Sequence, residues 1–159
     1  MCYNSDISLM QKGDLDMSVC TFFGHKACYQ LDTGLLCSEI EKLIHQGVDT
    51  FYVGNQGQFD SAVYHCLKTL RSQYQQIHMF VVLAYLPIPG QECRNLEDTM
   101  YPEIEGHPKF AITRRNRWMI AQADYCLCYV NQTWGGAYQF AKIAKEKGLT
   151  VINLGNAAL

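Results

Sequence analysis

The chain has 159 residues, a length that fits one domain with an ordinary hydrophobic core. Its net charge of −2 at pH 7 argues against a general nucleic-acid binder, which usually carries a clear basic excess. No apolar run approaches the ~20 residues that cross a bilayer, and the N-terminus lacks the pattern of a secretory signal. We therefore expect a cytoplasmic protein with no membrane partner and predict that nucleic acid is not its ligand.

Eight cysteines are spread along the chain without a Cys-x-x-Cys pair, and no histidine is spaced to complete a zinc site. Cys20, Cys126 and Cys128 lie inside apolar runs, and Cys66 lies on an apolar helical face. We interpret them as reduced, buried thiols that act as small hydrophobic side chains. The sequence predicts no metal site and no cofactor.

Five short apolar runs alternate with longer helical patterns after residues 1–17, which we predict to form a loose arm. The runs cover residues 19–23, 51–53, 79–83, 125–130 and 151–154. They are continuously apolar, as strands buried on both faces are. Strands that alternate with helices indicate a parallel sheet with right-handed crossovers. We predict one doubly wound α/β domain over residues 18–159, with about five strands in the order 3-2-1-4-5.

Four amphipathic patterns predict the helices between these strands. Three apolar stripes are Leu36, Ile40, Leu43 and Ile44, ended by Gly47; Phe59, Val63, Cys66, Leu67 and Leu70; and Phe140, Ile143 and Ala144, ended by Gly148. A fourth helix is predicted from about residue 111 to residue 122. The long connection over residues 87–109 contains aromatic and acidic side chains (Tyr101, Glu103, Glu105), and we predict a partly ordered lid over a site.

Small and polar residues follow three of the predicted strands, at the edge where open parallel sheets bind ligands. They are Gly24, His25 and Lys26 after the first strand, Gly54, Asn55, Gln56, Gly57 and Asp60 after the second, and Trp134, Gly135 and Gly136 near the end of the loop after the fourth. The glycine pair would expose N–H donors at the positive end of a helix, which suits a phosphate; the alternative is a tight turn without a ligand. Asp60 is either a residue of a helix N-terminus or an acid that binds hydroxyl groups.

Three arginines lie at or near the start of the fourth predicted helix, where the helix macrodipole disfavours cations. They are Arg114, Arg115 and Arg117, interrupted by Asn116. A guanidinium group binds phosphate through two parallel hydrogen bonds, so a nucleotide-like anion is the direct candidate. The alternative is a solvated helix face, or salt bridges to the glutamates of the preceding loop. We favour the ligand.

The five histidines show no fixed spacing to a cysteine or serine that would define a nucleophilic dyad, and we predict no catalytic residue. Low charge and ten tyrosines suit a buried interface between copies of the chain, so we predict a homo-oligomer of undetermined order.

The strand-end motifs resemble those of the YpsA-like branch of the SLOG superfamily. That superfamily groups the Rossmann-like domains of DNA-processing protein A (Smf) with the LOG proteins. The resemblance covers residues 18–154 and rests on Cys20-Thr21-Phe22-Phe23-Gly24-His25-Lys26, Gly54-x-x-Gly57-x-x-Asp60, Arg114-Arg115-Asn116-Arg117-Trp118-Met119 and Gly135-Gly136. It implies a Rossmann-like sheet whose strand-end loops bind a nucleotide or a nucleotide-derived ligand such as ADP-ribose.

LOG enzymes cleave the N-glycosidic bond of nucleoside monophosphates and release ribose 5-phosphate, through a Pro-Gly-Gly-x-Gly-Thr-x-x-Glu motif. Here Trp134 stands in place of the proline, Tyr138 and Gln139 replace Gly-Thr, and Lys142 replaces the catalytic glutamate. Glycosidic cleavage needs a carboxylate near the developing oxocarbenium ion. Asp60 or a loop glutamate is the substitute that this alternative requires.

The sequence therefore predicts a protein that binds a nucleotide or an ADP-ribose-like ligand, as a sensor or ligand-binding protein. Arg114, Arg115 and Arg117 would hold phosphate together with the Gly135-Gly136 helix start. The segments 24–26 and 54–60 would contact the ribose and base. The alternatives are a LOG-like N-glycosidase and binding of single-stranded DNA, as in the DNA-processing relatives.

Overall fold

A parallel sheet between two layers of helices forms the domain in the computed structural model, which describes residues 17–88 and 98–159. The strands are β1 (Val19–Gly24), β2 (Thr50–Val53), β3 (His78–Val82), β4 (Thr99–Met100), β5 (Tyr125–Tyr129) and β6 (Thr150–Asn153). The helices are α1 (Thr33–His45), α2 (Gln58–Gln73), α3 (Ala111–Gln122) and α4 (Gly136–Glu146), with a short 3-10 turn at Pro108–Phe110. The architecture is a Rossmann-like, doubly wound α/β fold.

The sheet order is β4-β3-β2-β1-β5-β6, and every neighbouring pair is parallel. The five strands expected from apolar runs lie in the order predicted for them, but the strand count was too low. The additional strand is β4, which pairs through two residues with the end of β3. A two-residue edge strand carries no apolar run, so the sequence pattern did not reveal it.

Two hydrophobic clusters, one on each face of the sheet, hold the helices. One cluster packs α1 and α2 through Leu36, Ile40, Val63 and Leu67, which are all fully buried. The other packs α3 and α4 through side chains that include Met119, Ala141 and Ala144. Small alanines on α4 let this helix lie close to β1 and β5.

The second part of the long connection contains regular structure. Residues 98–110 include β4 and the 3-10 turn, and the carboxylate of Asp98 pairs with both terminal nitrogens of Arg71 on α2. Residues 89–97 of the predicted lid lie outside the described residues. The predicted arm over 1–17 also lies outside them, except for Met17, which packs against the cluster of α3 and α4. No helix in the described ranges is long and apolar enough to cross a membrane.

The expectation that Cys66 is a reduced thiol was wrong. Cys66 on α2 forms a disulfide with Cys37 on α1, with a sequence separation of 29 residues. The bond joins the two helices that pack side by side on one face of the sheet. Cys20, Cys126 and Cys128 are buried free thiols, as expected, and Cys28 is a half-buried free thiol.

We predict that Cys37→Ser lowers the free energy of unfolding by about 3–4 kcal/mol, because the disulfide restricts the unfolded chain. The midpoint of thermal unfolding should fall by roughly 10 °C for a domain of this size. A thiol reductant should cause a similar fall in the unchanged protein and little further fall in the variant. Cys28→Ser, which removes a free thiol, is the control and should leave the effect of the reductant intact. An unfolding midpoint that does not respond to reductant would contradict the bond.

Candidate functional site

A cavity of about 590 Å³ opens at the carboxyl ends of β1, β2 and β5. Its volume lies in the ~300–1,000 Å³ range of small-molecule sites. It is lined by Phe22, Phe23, Gly24, His25, Lys26, Ala27, Gly54, Gln56, Asp60, Ile112, Arg115, Asn116, Met119, Asn131, Gln132, Trp134, Gly135, Gly136, Ala137 and Phe140. The cavity therefore lies at the edge where parallel sheets bind their ligands.

One face of α3 forms a wall of this cavity. Ile112, Arg115, Asn116 and Met119 are spaced at i, i+3, i+4 and i+7, so they share one side of the helix. Of the three arginines, only Arg115 lies on this side of the helix, together with Asn116. Helical spacing applied to the sequence would have identified this set.

The other two arginines do not line the cavity. Arg114 donates a hydrogen bond from Nη1 to the carbonyl oxygen of His107, at 2.8 Å, and Arg117 is exposed. The helix begins at Ala111 after a 3-10 turn, so all three arginines lie beyond the first three residues of the helix. Because the effect of the macrodipole fades beyond the first turn, these positions do not by themselves require an anion.

Arg115 is held at the base of the cavity by hydrogen bonds to protein groups. Its Nη1 donates to the carbonyl oxygen of Val82 at the end of β3, at 2.7 Å, and its Nε donates to Oδ1 of Asn116, at 2.7 Å. A longer contact of 3.4 Å joins Nη1 to Oδ1 of Asn55. Its Nη2 donates no hydrogen bond to any part of the chain that the structure describes. The side chain is only 3% exposed, and burial lowers the pKa of its guanidinium.

Asp60 lies beside Arg115 in the third position of α2. Its Oδ2 accepts a hydrogen bond from the backbone N–H of Gln56, at 2.7 Å. Asp60 therefore lies in the first turn of α2, as the first interpretation requires, and it also lines the cavity. Its binding of hydroxyl groups stays a prediction. Burial raises the pKa of its carboxyl to about 6, although the Gln56 hydrogen bond and the charge of Arg115 act in the opposite direction.

The N-terminus of α4 supplies backbone donors to the same cavity. Gly135 caps the helix with φ of +89°, a left-handed conformation that favours glycine, and no described side chain caps the first turn. Gly136, unlike Gly135, has no positive φ. A methyl group built onto it would meet no heavy atom within 4 Å apart from its neighbours along the helix. Neither its backbone conformation nor its neighbours require glycine there. The missing side chain therefore leaves open space at the start of α4, where Gly136 lines the cavity.

Two groups after β1 complete the site. The Nε2 of His25 accepts a hydrogen bond from the backbone N–H of Asn131, at 3.0 Å, which joins the loops after β1 and β5. Accepting this bond requires the neutral ring with its proton on Nδ1. Burial lowers the pKa of His25, which favours the same neutral form. Lys26 is exposed at the rim and is the second cation of the cavity.

The cavity thus brings together eleven of the predicted site residues: Gly24, His25, Lys26, Gly54, Gln56, Asp60, Arg115, Asn116, Trp134, Gly135 and Gly136. Asn55 and Gly57 lie next to it without lining it; Gly57 is the N-cap of α2, and Asn55 contacts Arg115. Among the lining residues that sequence reasoning did not select, Asn131 and Gln132 come two and three residues after the end of β5, and that position was the available signal. Lys142, which replaces the LOG glutamate, is exposed on α4 and does not line the cavity.

We predict that Asp60→Asn raises the free energy of unfolding at pH 7 by about 2–3 kcal/mol, because it removes a buried charge. The pKa of Asp60 is about 6 in the folded protein and 3.8 in its unperturbed state, so the folded state binds more protons across that interval. The stability that Asp60 contributes therefore falls as pH rises from about 4 to about 6. Denaturant unfolding at pH 4, 5, 6 and 7 should show the two proteins diverging. Parallel pH profiles would contradict the raised pKa.

The described residues contain no group of three or more histidine, cysteine, aspartate or glutamate side chains that could hold a metal ion. No protein-family model matches the chain, and no curated protein matches it. The assignment to the YpsA-like branch therefore remains an expectation from its motifs. The case for a ligand rests on the geometry of the cavity.

Proposed function

We propose that this protein binds a nucleotide or a nucleotide-derived ligand, ADP-ribose-like or a nucleoside monophosphate, as a sensor or ligand-binding protein. The observation that carries the proposal is the pairing of a buried guanidinium, Arg115, with the uncapped N-terminus of α4 in one cavity. Both are anion-binding groups, and the backbone amides suit a phosphate. The other two arginines have no part in this phosphate site, because they do not line the cavity.

The remaining lining groups suit the rest of such a ligand. Trp134 is 68% exposed directly before the phosphate-binding glycines, and an exposed indole beside a cavity offers a face on which a base can stack. The alternative for Trp134 is packing against another subunit. Gly24, His25 and Lys26 lie on one side of the cavity, with Gly54 and Asp60 nearby, where they would contact the ribose and the base.

Membership of the YpsA-like branch is part of this proposal. Within it, the LOG-like N-glycosidase is the second candidate, favoured by one observation. Asp60 is a buried carboxyl in the cavity with a pKa near neutrality, a property that general acids share. Release of a free base from a bound nucleotide, detected by chromatography, would separate this enzyme from a sensor.

Three further expectations stay proposals. Exposed apolar side chains at Tyr85, Leu86, Ile88 and Phe110 suit a homo-oligomer. A cytoplasmic location is also proposed, although the Cys37–Cys66 disulfide argues against it because disulfides are rare in reducing compartments. Single-stranded DNA is the weakest alternative, because only two cations line the cavity among the described residues and the chain carries a charge of −2.

Thermal unfolding in the presence of AMP, ADP, NAD, ADP-ribose and cyclic ADP-ribose tests the proposal. A ligand at ~100 times its dissociation constant should add about 2.7 kcal/mol to the free energy of unfolding. Arg115→Ala should abolish the shift, because it removes the buried guanidinium. The matched control is Arg117→Ala, which removes an exposed arginine of the same helix and should keep the full shift.

Gly136→Ala separates a binding defect from a folding defect. The added methyl group meets no protein atom, so the variant should be as stable as the unchanged protein or slightly more stable. Its methyl group should nevertheless weaken binding of the nucleotide, because it fills open space at the start of α4 through which a phosphate would approach the backbone. No shift with any nucleotide, or equal shifts for all three variants, would contradict the proposed site.

A further inference from the structure

Asp60 is the only carboxyl side chain among the described residues that line the cavity, and it lies next to the proposed anion site. A methyl group built onto Gly54 would lie 2.8 Å from Oδ2 of Asp60 and 3.3 Å from both terminal nitrogens of Arg115. The two side chains therefore approach the same side of Gly54. Any anion that binds Arg115 here meets a second negative charge as long as Asp60 is ionised.

The surroundings of Asp60 stabilise its charge only weakly. Oδ2 accepts the N–H of Gln56, and Oδ1 accepts no hydrogen bond from the described part of the chain. Arg115 on α3 is the nearest cation, but the two form no ion pair in this structure. The other titratable groups near the pair are His25, Lys26 and Cys28 after β1, and Tyr85 after β3. None of these is a buried cation that could replace Arg115.

Resting on the proposed function, we propose that Asp60 takes up one proton from solvent when an anionic ligand binds beside Arg115. The proton adds to the carboxylate, and the neutral carboxyl then donates a hydrogen bond from Oδ1 to the ligand. Two negative charges in one buried site repel, so the ligand and the ionised carboxylate compete for the same guanidinium. Protonation removes the repulsion between Asp60 and the anion beside Arg115.

Burial supports this coupling independently of any ligand. It already raises the pKa of Asp60 to about 6, so an additional negative charge needs to raise it only slightly further to reach neutral pH. A neighbouring like charge commonly shifts a carboxyl by ~1 unit or more. Asp60 therefore makes the cavity bind anions more tightly under mildly acidic conditions than at higher pH, and it acts as a specificity-determining residue.

Isothermal titration calorimetry with ADP-ribose tests the inference. The phosphoryl groups of this probe do not titrate near neutrality, whereas a phosphate monoester has a second pKa of ~6 that would obscure the result. Titrations in buffers of different ionisation enthalpy count the protons bound. We expect an uptake of about half a proton near pH 7 and an affinity that falls about fivefold between pH 6 and pH 8.

Asp60→Asn should bind ADP-ribose with no proton uptake and with an affinity that does not change over this pH range. Glu146→Gln is the matched control, because it makes the same chemical change at an exposed residue of α4 and should keep the full pH dependence. Binding without proton uptake would overturn this inference and leave the proposed function standing. An affinity that improves as pH rises would overturn it too, because Asp60 would then be an ionised acceptor. The absence of binding at every pH would overturn both.

Discussion

The candidate site depends on one buried cation. The guanidinium of Arg115 is 3% exposed, and the carbonyl oxygen of Val82 at the end of β3 fixes its position. Burying an unpaired charge is expensive, and the nearby Asp60 compensates it without forming a direct ion pair. Burial disfavours the ionised form of both Arg115 and Asp60, whereas the charge of each side chain favours the ionised form of its neighbour. Such a pair at a strand-end cavity is typical of a binding site.

The N-termini of α2 and α4 both contribute residues to the cavity, and they differ in how they receive an anion. Protein groups already occupy the N-terminus of α2. The backbone N–H of Gln58 donates to the carbonyl oxygen of Lys26, and Asp60 lies in the first turn. The entrance of α4 has no acidic residue in its first turn and no side-chain cap. An anion is thus favoured at α4 and disfavoured at α2. A side chain at position 136 would meet no protein atom within 4 Å, so folding does not require glycine there. Glycine at this position instead leaves space for an anion at the N-terminus of α4.

Much of this fold follows from local sequence patterns. Continuous apolar runs located β1, β2, β3, β5 and β6, and the helical periodicities located all four helices, α3 with its observed bounds. The disulfide could not be predicted, because Cys37 and Cys66 lie on different helices and only the tertiary packing brings them together. The sequence did not predict β4, because a strand of two residues is recognised by its pairing with β3 and not by a pattern in its own residues.

The site was predicted less well than the fold. Residues of the loops after β1, β2 and β5 line one cavity, since parallel strands end at one edge of the sheet. The arginine cluster was treated as a unit, although a helix separates neighbours by 100° and turns only Arg115 toward the cavity. The charge state of Asp60 was beyond sequence reasoning, because it depends on burial and on a partner from α3.

Titration of the isotope-labelled protein with ADP-ribose, followed by nuclear magnetic resonance, tests the central claim most directly. The claim is that an anion binds between Arg115 and the N-terminus of α4. We expect the largest shifts at the backbone amides of Gly136 and Ala137 and at the Nε–H of Arg115, with none at Arg117. Shifts confined to the exposed apolar residues Leu86 and Phe110, with those three signals unmoved, would contradict the account.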